Sequence, residues 1–233
     1  MSDLLIKYME KKEKRIEINL AFAEQGVEFV DIENTYIDEG AKIGKGTLIE
    51  PGVTIDNNTV IGTDCIIGQN SKITKATIGD NTTIQQSVIN DSSVGDNTAV
   101  GPFAYIRPGS KVGSDCKVGD FVEIKNSVMG DGSKASHLTY IGDSDIGKNV
   151  NLGCGVVFVN YDGKEKHRSA VGDGAFIGCN VNIVSPVNIS DNSYIAAGTT
   201  VTKNVPKGAL YVGRAKERVF EGWVEKRGLL NKE

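Results

Sequence analysis

The chain has two histidines, His137 and His167, and histidine is the side chain whose charge ordinarily changes near neutral pH. His137 stands in the segment 136–140, Ser-His-Leu-Thr-Tyr, which keeps the spacing of its neighbours but carries bulky and titratable residues. A histidine there could take a proton from an attacking nucleophile at pH 7. The alternative is a surface histidine without function. Two histidines cannot give zinc three imidazole ligands, so we expect no metal site.

Two basic residues, Arg107 and Lys125, are separated by 18 residues, which is one coil of the repeat described below. On a stacked fold the two cations would lie one above the other, about 5 Å apart by strand spacing. Like charges at that distance repel unless an anion lies between or in front of them. A phosphate group fits this description, with forked contacts from arginine and a point charge from lysine. The alternative is a pair of solvated cations whose side chains splay apart.

Residues 160–168, Asn-Tyr-Asp-Gly-Lys-Glu-Lys-His-Arg, form a polar insertion between Phe158 and Val171. Insertions in repeat proteins often lie on the binding face. A solvated loop without function is the alternative interpretation.

A six-residue repeat must position these residues. Aliphatic residues recur from Ile37 to Val201 mostly in steps of six, with some steps of five and the one insertion. This period fits neither a helix nor a plain amphipathic strand, but it fits a short strand followed by a corner. Glycine and asparagine suit such corners because they tolerate left-handed backbone. Three segments would close a triangular coil, and the repeat predicts about nine coils stacked at about 4.8 Å.

The two ends of the chain lack the repeat. Residues 1–26 are predicted to be helical, with Ile16, Leu20 and Ala23 as a partial apolar stripe and Gly26 as the end of the helix. We therefore expect a capping or linker helix in 1–30, a β-helix domain in 31–213 and a tail in 214–233. The tail is either a second cap or a segment that lies on a neighbouring subunit.

The composition excludes several classes of protein. Lys and Arg total 26 and Asp and Glu total 30, so the net charge is −4, which argues against nucleic-acid and anionic-membrane partners. No apolar run approaches the roughly 20 residues of a membrane helix. The four cysteines form no Cys-x-x-Cys pair, so we expect reduced thiols in a cytoplasmic protein. The wealth of isoleucine and valine argues against a leucine-rich helical bundle.

Six motifs in order resemble one bacterial enzyme family. They are Gly101-Pro102-Phe103-Ala104, Arg107-Pro108-Gly109, Gly119-Asp120-Phe121-Val122-Glu123, His137-Leu138-Thr139-Tyr140-Ile141-Gly142-Asp143, Asn160-Tyr161-Asp162-Gly163 and Ala196-Ala197-Gly198-Thr199-Thr200-Val201-Thr202. The chain resembles, from about residue 15 to about residue 224, the C-terminal half of the bifunctional N-acetylglucosamine-1-phosphate uridyltransferases/glucosamine-1-phosphate acetyltransferases.

The resemblance implies an all-β fold, a left-handed parallel β-helix of hexapeptide repeats, in a homotrimer with sites between subunits. It implies acetyl transfer from acetyl-CoA to the 2-amine of glucosamine 1-phosphate, in the formation of UDP-N-acetylglucosamine for the cell wall. By the same resemblance the general base is His137, the sugar-phosphate ligands are Arg107, Lys125, Tyr140, Asn151 and Lys166, the oxyanion donor is the backbone N–H of Cys154, and acetyl-CoA contacts Cys154, Asn160, Tyr161, Cys179, Ala197 and Arg214.

The chain departs from the family pattern at three positions near the site. Cys154 stands where alanine is usual, Cys179 where serine is frequent, and Ser136 where glycine is usual. Residues 1–36 are too few for the uridyltransferase half, so we expect no uridyltransferase activity. Two other functions stay open: acetylation of another amino sugar or of an amino-acid precursor, and a non-catalytic trimeric scaffold.

Overall fold

Short parallel strands wind into a three-sided prism in the computed structural model, which describes residues 2–229. Each strand pairs with the strand one coil before it and the strand one coil after it, so the three sheets run the length of the prism. The first sheet contains Glu28–Phe29, Leu48–Ile49, Ile66–Ile67, Thr83–Ile84, Ala99–Val100, Lys117–Asp120, Lys134–His137, Asn151–Leu152, Phe176–Ile177, Tyr194–Ile195 and Leu210–Tyr211.

The other two sheets complete each coil. The second sheet contains Tyr36–Ile37, Thr54–Ile55, Lys72–Thr74, Val88–Asn90, Tyr105–Ile106, Glu123–Lys125, Tyr140–Gly142, Val157–Val159, Asn182–Val184 and Thr200–Val201. The third sheet contains Lys42–Ile43, Val60–Ile61, Thr77–Ile78, Ser93–Val94, Lys111–Val112, Val128–Met129, Ser144–Ile146, Ser169–Val171 and Asn188–Ile189. The predicted left-handed parallel β-helix is confirmed. It has about ten coils rather than nine, because strands outside the regular repeat extend both ends.

The core is a column of inward-facing aliphatic side chains. In strands such as Leu48–Ile49 and Thr54–Ile55 the second residue is buried and the first faces outward. Ile49, Ile67 and Ile124 are 0% exposed. Each fully buried aliphatic side chain contributes about 1.5–3 kcal/mol to folding. Because a single coil has only three such side chains, the stacking of coils supplies the stability.

The N-terminal helix Asp3–Glu24 begins at Ser2 and ends before Gly26, whose φ is 92°. It docks on the first coil through buried Phe22 and through Asn19, whose amide donates to the carbonyls of Ile32 and Thr35 at 2.8 and 2.9 Å. The predicted stripe was wrong at Leu20, which is 48% exposed.

The helix face is different because only its C-terminal half meets the prism. Arg15 lies 4.6 Å above the ring of Tyr36, and Ile18 packs partly against the core. The buried face therefore runs through residues 15, 18, 19 and 22. Among the described residues, no helix has the length and apolar content needed to cross a bilayer.

The described part of the tail, 214–229, is exposed throughout. It includes a short helix, Trp223–Lys226, and the exposed side chains of Phe220 and Trp223. This segment covers no core residue of its own chain, so it does not form the second cap. The other expectation, a tail on a neighbouring subunit, stays a prediction. Residues 230–233 lie outside the described residues.

Candidate active site

A row of residues that includes titratable and nucleophilic side chains lies along one corner of the prism. We call this row the catalytic corner: Asp120, His137, Cys154, Cys179 and Ala197. The strand pairing aligns them. Asp120 pairs directly with His137, and the registers of Ala135 with Leu152, of Leu152 with Ile177 and of Ile177 with Ile195 continue the row. Successive members lie one coil apart, at the junction between the first and second sheets.

His137 is hydrogen-bonded to the carboxylate of Asp120. The distance from Nδ1 of His137 to Oδ1 of Asp120 is 2.5 Å. This hydrogen bond lowers the pKa of Asp120 below its usual value. The imidazole is 55% exposed, so its Nε2 atom is open to a reactant. The sequence reasoning missed a role for Asp120, although its separation of 17 residues from His137 is close to one coil.

The predicted stacking of Arg107 and Lys125 is present. The pairing of Ile106 with Ile124 places the two cations side by side on the second sheet. Each has a carboxylate from its own chain: Nη1 of Arg107 lies 2.6 Å from Oε1 of Glu123, and Nζ of Lys125 lies 3.0 Å from Oδ2 of Asp143. Carboxylates of the same chain therefore offset the repulsion between the two cations, and the binding of a phosphate by this pair stays a prediction.

Asp143 is the centre of the buried part of this cluster. It is 7% exposed and accepts hydrogen bonds from Lys125, from Nδ2 of Asn126 at 2.6 Å and from Nδ2 of Asn160. Burial raises the pKa of Asp143, but these hydrogen bonds lower it by more, so its pKa lies below the usual value. Burial likewise lowers the pKa of Lys125, but the hydrogen bond to Asp143, the charge of Asp143 and the smaller effects of Lys166 and Tyr140 together outweigh it, so this pKa is raised.

The other residues expected to bind the sugar phosphate lie on two different sides of the prism. Tyr140 lies close enough to Arg107 and Lys125 to affect the titration of both, and Lys166 affects that of Lys125. The Tyr140 ring extends over Gly142, where a Cβ would overlap it. Asn151 instead lies on the first sheet, paired with Lys134. A single chain therefore does not bring it to Arg107 and Lys125, which we call the cation cluster.

The insertion 160–168 is folded by its own hydrogen bonds. Asp162 accepts from the backbone N–H groups of Lys164 and Glu165 at 2.8 and 2.7 Å and contacts Nε2 of His167 at 2.7 Å. These contacts hold the pKa of Asp162 far below its usual range. Arg168 then ties the insertion to the prism with two hydrogen bonds to the carboxylate of Asp145, at 2.7 and 2.5 Å.

The candidates for contact with acetyl-CoA are also spread along this side. The side chain of Asn160 is buried on Asp143, whereas the Tyr161 ring is 55% exposed beside it. Arg214 reaches back to the catalytic corner, where Nη1 donates to the carbonyl of Ala197 at 3.2 Å. The N–H of Cys154 has no hydrogen-bond acceptor among the described residues, so it is free to donate to a ligand.

A ridge of apolar side chains follows the catalytic corner: Phe103, Phe121 and Leu138. Their φ angles are 60°, 56° and 47°, and they are 53%, 57% and 57% exposed. The two phenylalanine rings stack with their centroids 5.5 Å apart. Left-handed backbone disfavours such residues by roughly 1–2 kcal/mol each, and most other non-glycine corners with positive φ use asparagine or aspartate. This exposed ridge is therefore a costly feature in a single chain.

The described residues contain no group of three or more histidine, cysteine or acidic side chains able to hold a metal ion. All four cysteines, which lie within the described range, are free thiols.

Comparison with known proteins identifies the repeat. Residues 31–102 match the family model of the GMPPB C-terminal domain, 91–126 that of the bacterial transferase hexapeptide and 170–203 that of the hexapeptide repeat of succinyl-transferase. A protein from Acetivibrio thermocellus called bifunctional protein GlmU is 52% identical over 89% of this chain and 45% of its own length. The GlmU of Clostridium beijerinckii is 55% identical over 91% of this chain and 47% of its own.

The chain carries hexapeptide repeats and is similar to the GlmU proteins over about nine-tenths of its own length. It spans about half the length of these relatives, which agrees with the resemblance to one half of a bifunctional enzyme. A UDP-N-acetylglucosamine acyltransferase from Campylobacter jejuni has the same fold, with a TM-score of 0.54, 17% identity and coverage of 83% of this chain and 76% of its own. The homology confirms the resemblance inferred from the motifs.

Proposed function

We propose that the protein is a CoA-dependent N-acetyltransferase that transfers the acetyl group of acetyl-CoA to the 2-amine of glucosamine 1-phosphate. The observation that carries the proposal is the exposed imidazole of His137, held by Asp120 on the catalytic corner, together with the cations Arg107 and Lys125 on the adjoining second sheet. A group able to act as a base for an amine, and two cations able to bind a phosphate, support the proposal. The homology to the GlmU proteins favours the same pairing of groups.

In the proposed reaction His137 accepts a proton at Nε2 as the amine nitrogen attacks the thioester carbonyl carbon. A C–N bond forms, and the N–H of Cys154 donates to the oxyanion of the tetrahedral intermediate. The C–S bond then breaks, and the proton on His137 passes to the CoA thiolate. The products are N-acetylglucosamine 1-phosphate and CoA. One such backbone donor typically lowers the barrier by about 2.7–4 kcal/mol.

The phosphate of the sugar binds Arg107 and Lys125 in this proposal, with Tyr140, Asn151 and Lys166 on the sugar and its phosphate. A dianionic phosphate competes with Glu123 and Asp143 for the two cations, which are only partly exposed. Such binding replaces one charge-assisted hydrogen bond by another. Acetyl-CoA lies along Cys154, Cys179 and Ala197, and its remaining contacts come from Asn160, Tyr161 and Arg214.

We further propose that the protein works as a homotrimer in the cytoplasm. Three observations support a second copy at the catalytic corner. The imidazole of His137 stands on an open corner rather than in an enclosed pocket, the ridge Phe103, Phe121 and Leu138 is exposed, and the described part of the tail is exposed throughout, with Arg214 as its contact to the catalytic corner. Asn151 faces away from the cation cluster, so a neighbouring chain would have to bring it into the same site.

The test is a thiol-release assay with acetyl-CoA and a panel of amines. Glucosamine 1-phosphate should give kcat/KM at least about tenfold above glucosamine, since one charge-assisted contact contributes about 1.5–3 kcal/mol. A higher kcat/KM for another amine would replace the proposed acceptor. No turnover with any amine, together with no heat of CoA binding in calorimetry, would favour a non-catalytic scaffold.

A further inference from the structure

We propose that Asp120 is a positioning residue that selects the tautomer of His137 and strengthens it as a base. The inference rests on the proposed function, since it assigns Asp120 a part in the same reaction. Asp120 touches His137 and not the reacting atoms, so its effect passes through the imidazole. The contact between Nδ1 and Oδ1 at 2.5 Å is the observation that carries it.

The backbone is built to hold this pair. Most strands of the first sheet have two residues, but Lys117–Asp120 and Lys134–His137 have four each. Their pairing extends to the corner and includes Asp120 with His137. The N–H of Leu138 donates to the carbonyl of Asp120 at 2.9 Å, which fixes the next residue as well.

A glycine permits the close approach of these two strands. A Cβ at Gly119 would overlap the carbonyl oxygen of Ser136. The backbones of Gly119 and Ser136, which directly precede Asp120 and His137, are therefore in close contact. This contact fixes the separation between the carboxylate and the imidazole. Side chains held by paired strands are positioned more closely than side chains on loops.

The chemistry follows from which nitrogen carries the proton. Nδ1–H of His137 donates to the carboxylate, so the lone pair of the neutral ring is at Nε2, the exposed side. When Nε2 takes the proton of the amine, the adjacent negative charge stabilises the imidazolium. The pKa of Asp120 is lowered, so it stays ionised throughout the neutral range. Other charged or titratable groups on the paired strands and in the next coil include Lys117, which acts on Asp120, Lys134, which pairs with Lys117, and Cys154.

The chain contains its own reference pair. His167 contacts Asp162 through Nε2 at 2.7 Å, so its proton lies on the opposite nitrogen from that of His137. With only two histidines, each gives its own signals in a long-range ¹H–¹⁵N spectrum, where the two neutral tautomers have different ¹⁵N shifts. The geometry thus predicts one Nδ1–H and one Nε2–H tautomer in the same molecule.

The experiment compares Asp120→Asn, Asp120→Ala and the control Asp162→Asn. Asp120→Asn keeps an acceptor oxygen and removes the charge, so kcat should fall about 10- to 100-fold, which is at most the lower end of the roughly 10²- to 10⁴-fold that a general base contributes. The acidic limb of the kcat–pH profile should move to lower pH, because the imidazolium loses its counter-charge. KM for glucosamine 1-phosphate should change less than about twofold, because the cation cluster is untouched. Asp120→Ala should also lose the preference for the Nδ1–H tautomer of His137.

The control Asp162→Asn should leave the signals of His137 and its pH profile unchanged. The inference is overturned if His137 keeps its tautomer in folded Asp120→Ala, or if kcat of both Asp120 variants stays within about twofold of the wild type. Failure of the proposed function is distinct: the wild-type protein would then turn over no amino sugar, while the tautomer measurement would still stand.

Discussion

Single residues differ in how directly they touch the proposed reaction. His137→Ala should lower kcat about 10²- to 10⁴-fold, the usual contribution of a general base. The matched control is His167→Ala, which removes the other imidazole from the insertion. Thiol release measures both, and calorimetry should show unchanged CoA binding in His137→Ala. Equal losses in the two variants would contradict the assignment of the base.

Asp143 contributes to stability as a buried carboxylate with three donors. Asp143→Asn should lower the free energy of unfolding at pH 7 by about 2–4 kcal/mol, because Lys125 loses its counter-charge while partly buried. Since the folded-state pKa of Asp143 is lowered, the stabilisation is complete above its usual value of 3.8 and is lost as the pH falls through the lower folded-state value. The variant should therefore lose less stability than the wild type below pH 3.8.

Urea denaturation across pH measures this difference. Asp131→Asn is the control, since its pair with Lys148 is exposed on both sides and such pairs are worth about 0–1 kcal/mol. Similar losses of stability at the two positions would contradict a larger contribution from the buried contacts of Asp143.

At the scale of elements, the four-residue strand pair positions the base through Gly119. Gly119→Ala should lower the free energy of unfolding by roughly 1–3 kcal/mol or more, because the new Cβ overlaps the Ser136 carbonyl. It should also lower kcat, since the strands separate at the corner. The control is Gly213→Ala, whose nearest neighbour would be the Thr200 carbonyl oxygen at 3.1 Å. A stable Gly119→Ala protein with wild-type kcat would contradict this account.

At the scale of the whole molecule, the ridge beside the catalytic corner should be an interface between copies. Phe121→Asn keeps a side chain that accepts the φ of 56° and removes the exposed ring. We expect it to shift the oligomer towards smaller species in analytical ultracentrifugation and to lower kcat. Its circular dichroism should stay that of the wild type. A variant that keeps the wild-type mass would contradict the interface.

The sequence predicted the prism well because one inward side chain in each short strand is enough to specify it. The aliphatic residues that recur at the six-residue spacing between Ile37 and Val201 lie in the core, as the repeat predicted. The partners of the functional groups were harder to predict. Asp120 and Asp143 lie one coil from His137 and Lys125, and the steps of five and six make that separation 17 or 18 residues. The face of the N-terminal helix was missed at Leu20, because only half of the helix touches the first coil.

The uniform pairing of coils has a consequence for the length of the protein. Ile43 pairs with Ile61, so excision of residues 44–61 would join two equivalent points of the same edge. The shortened prism should have one coil fewer and be about 4.8 Å shorter along its axis. The distance from the N-terminal helix to His137 would shrink by that amount, while every neighbour of His137 would stay in place. The distance between the N-terminal helix and the catalytic corner can thus be changed in steps of one coil without a change in the residues around His137.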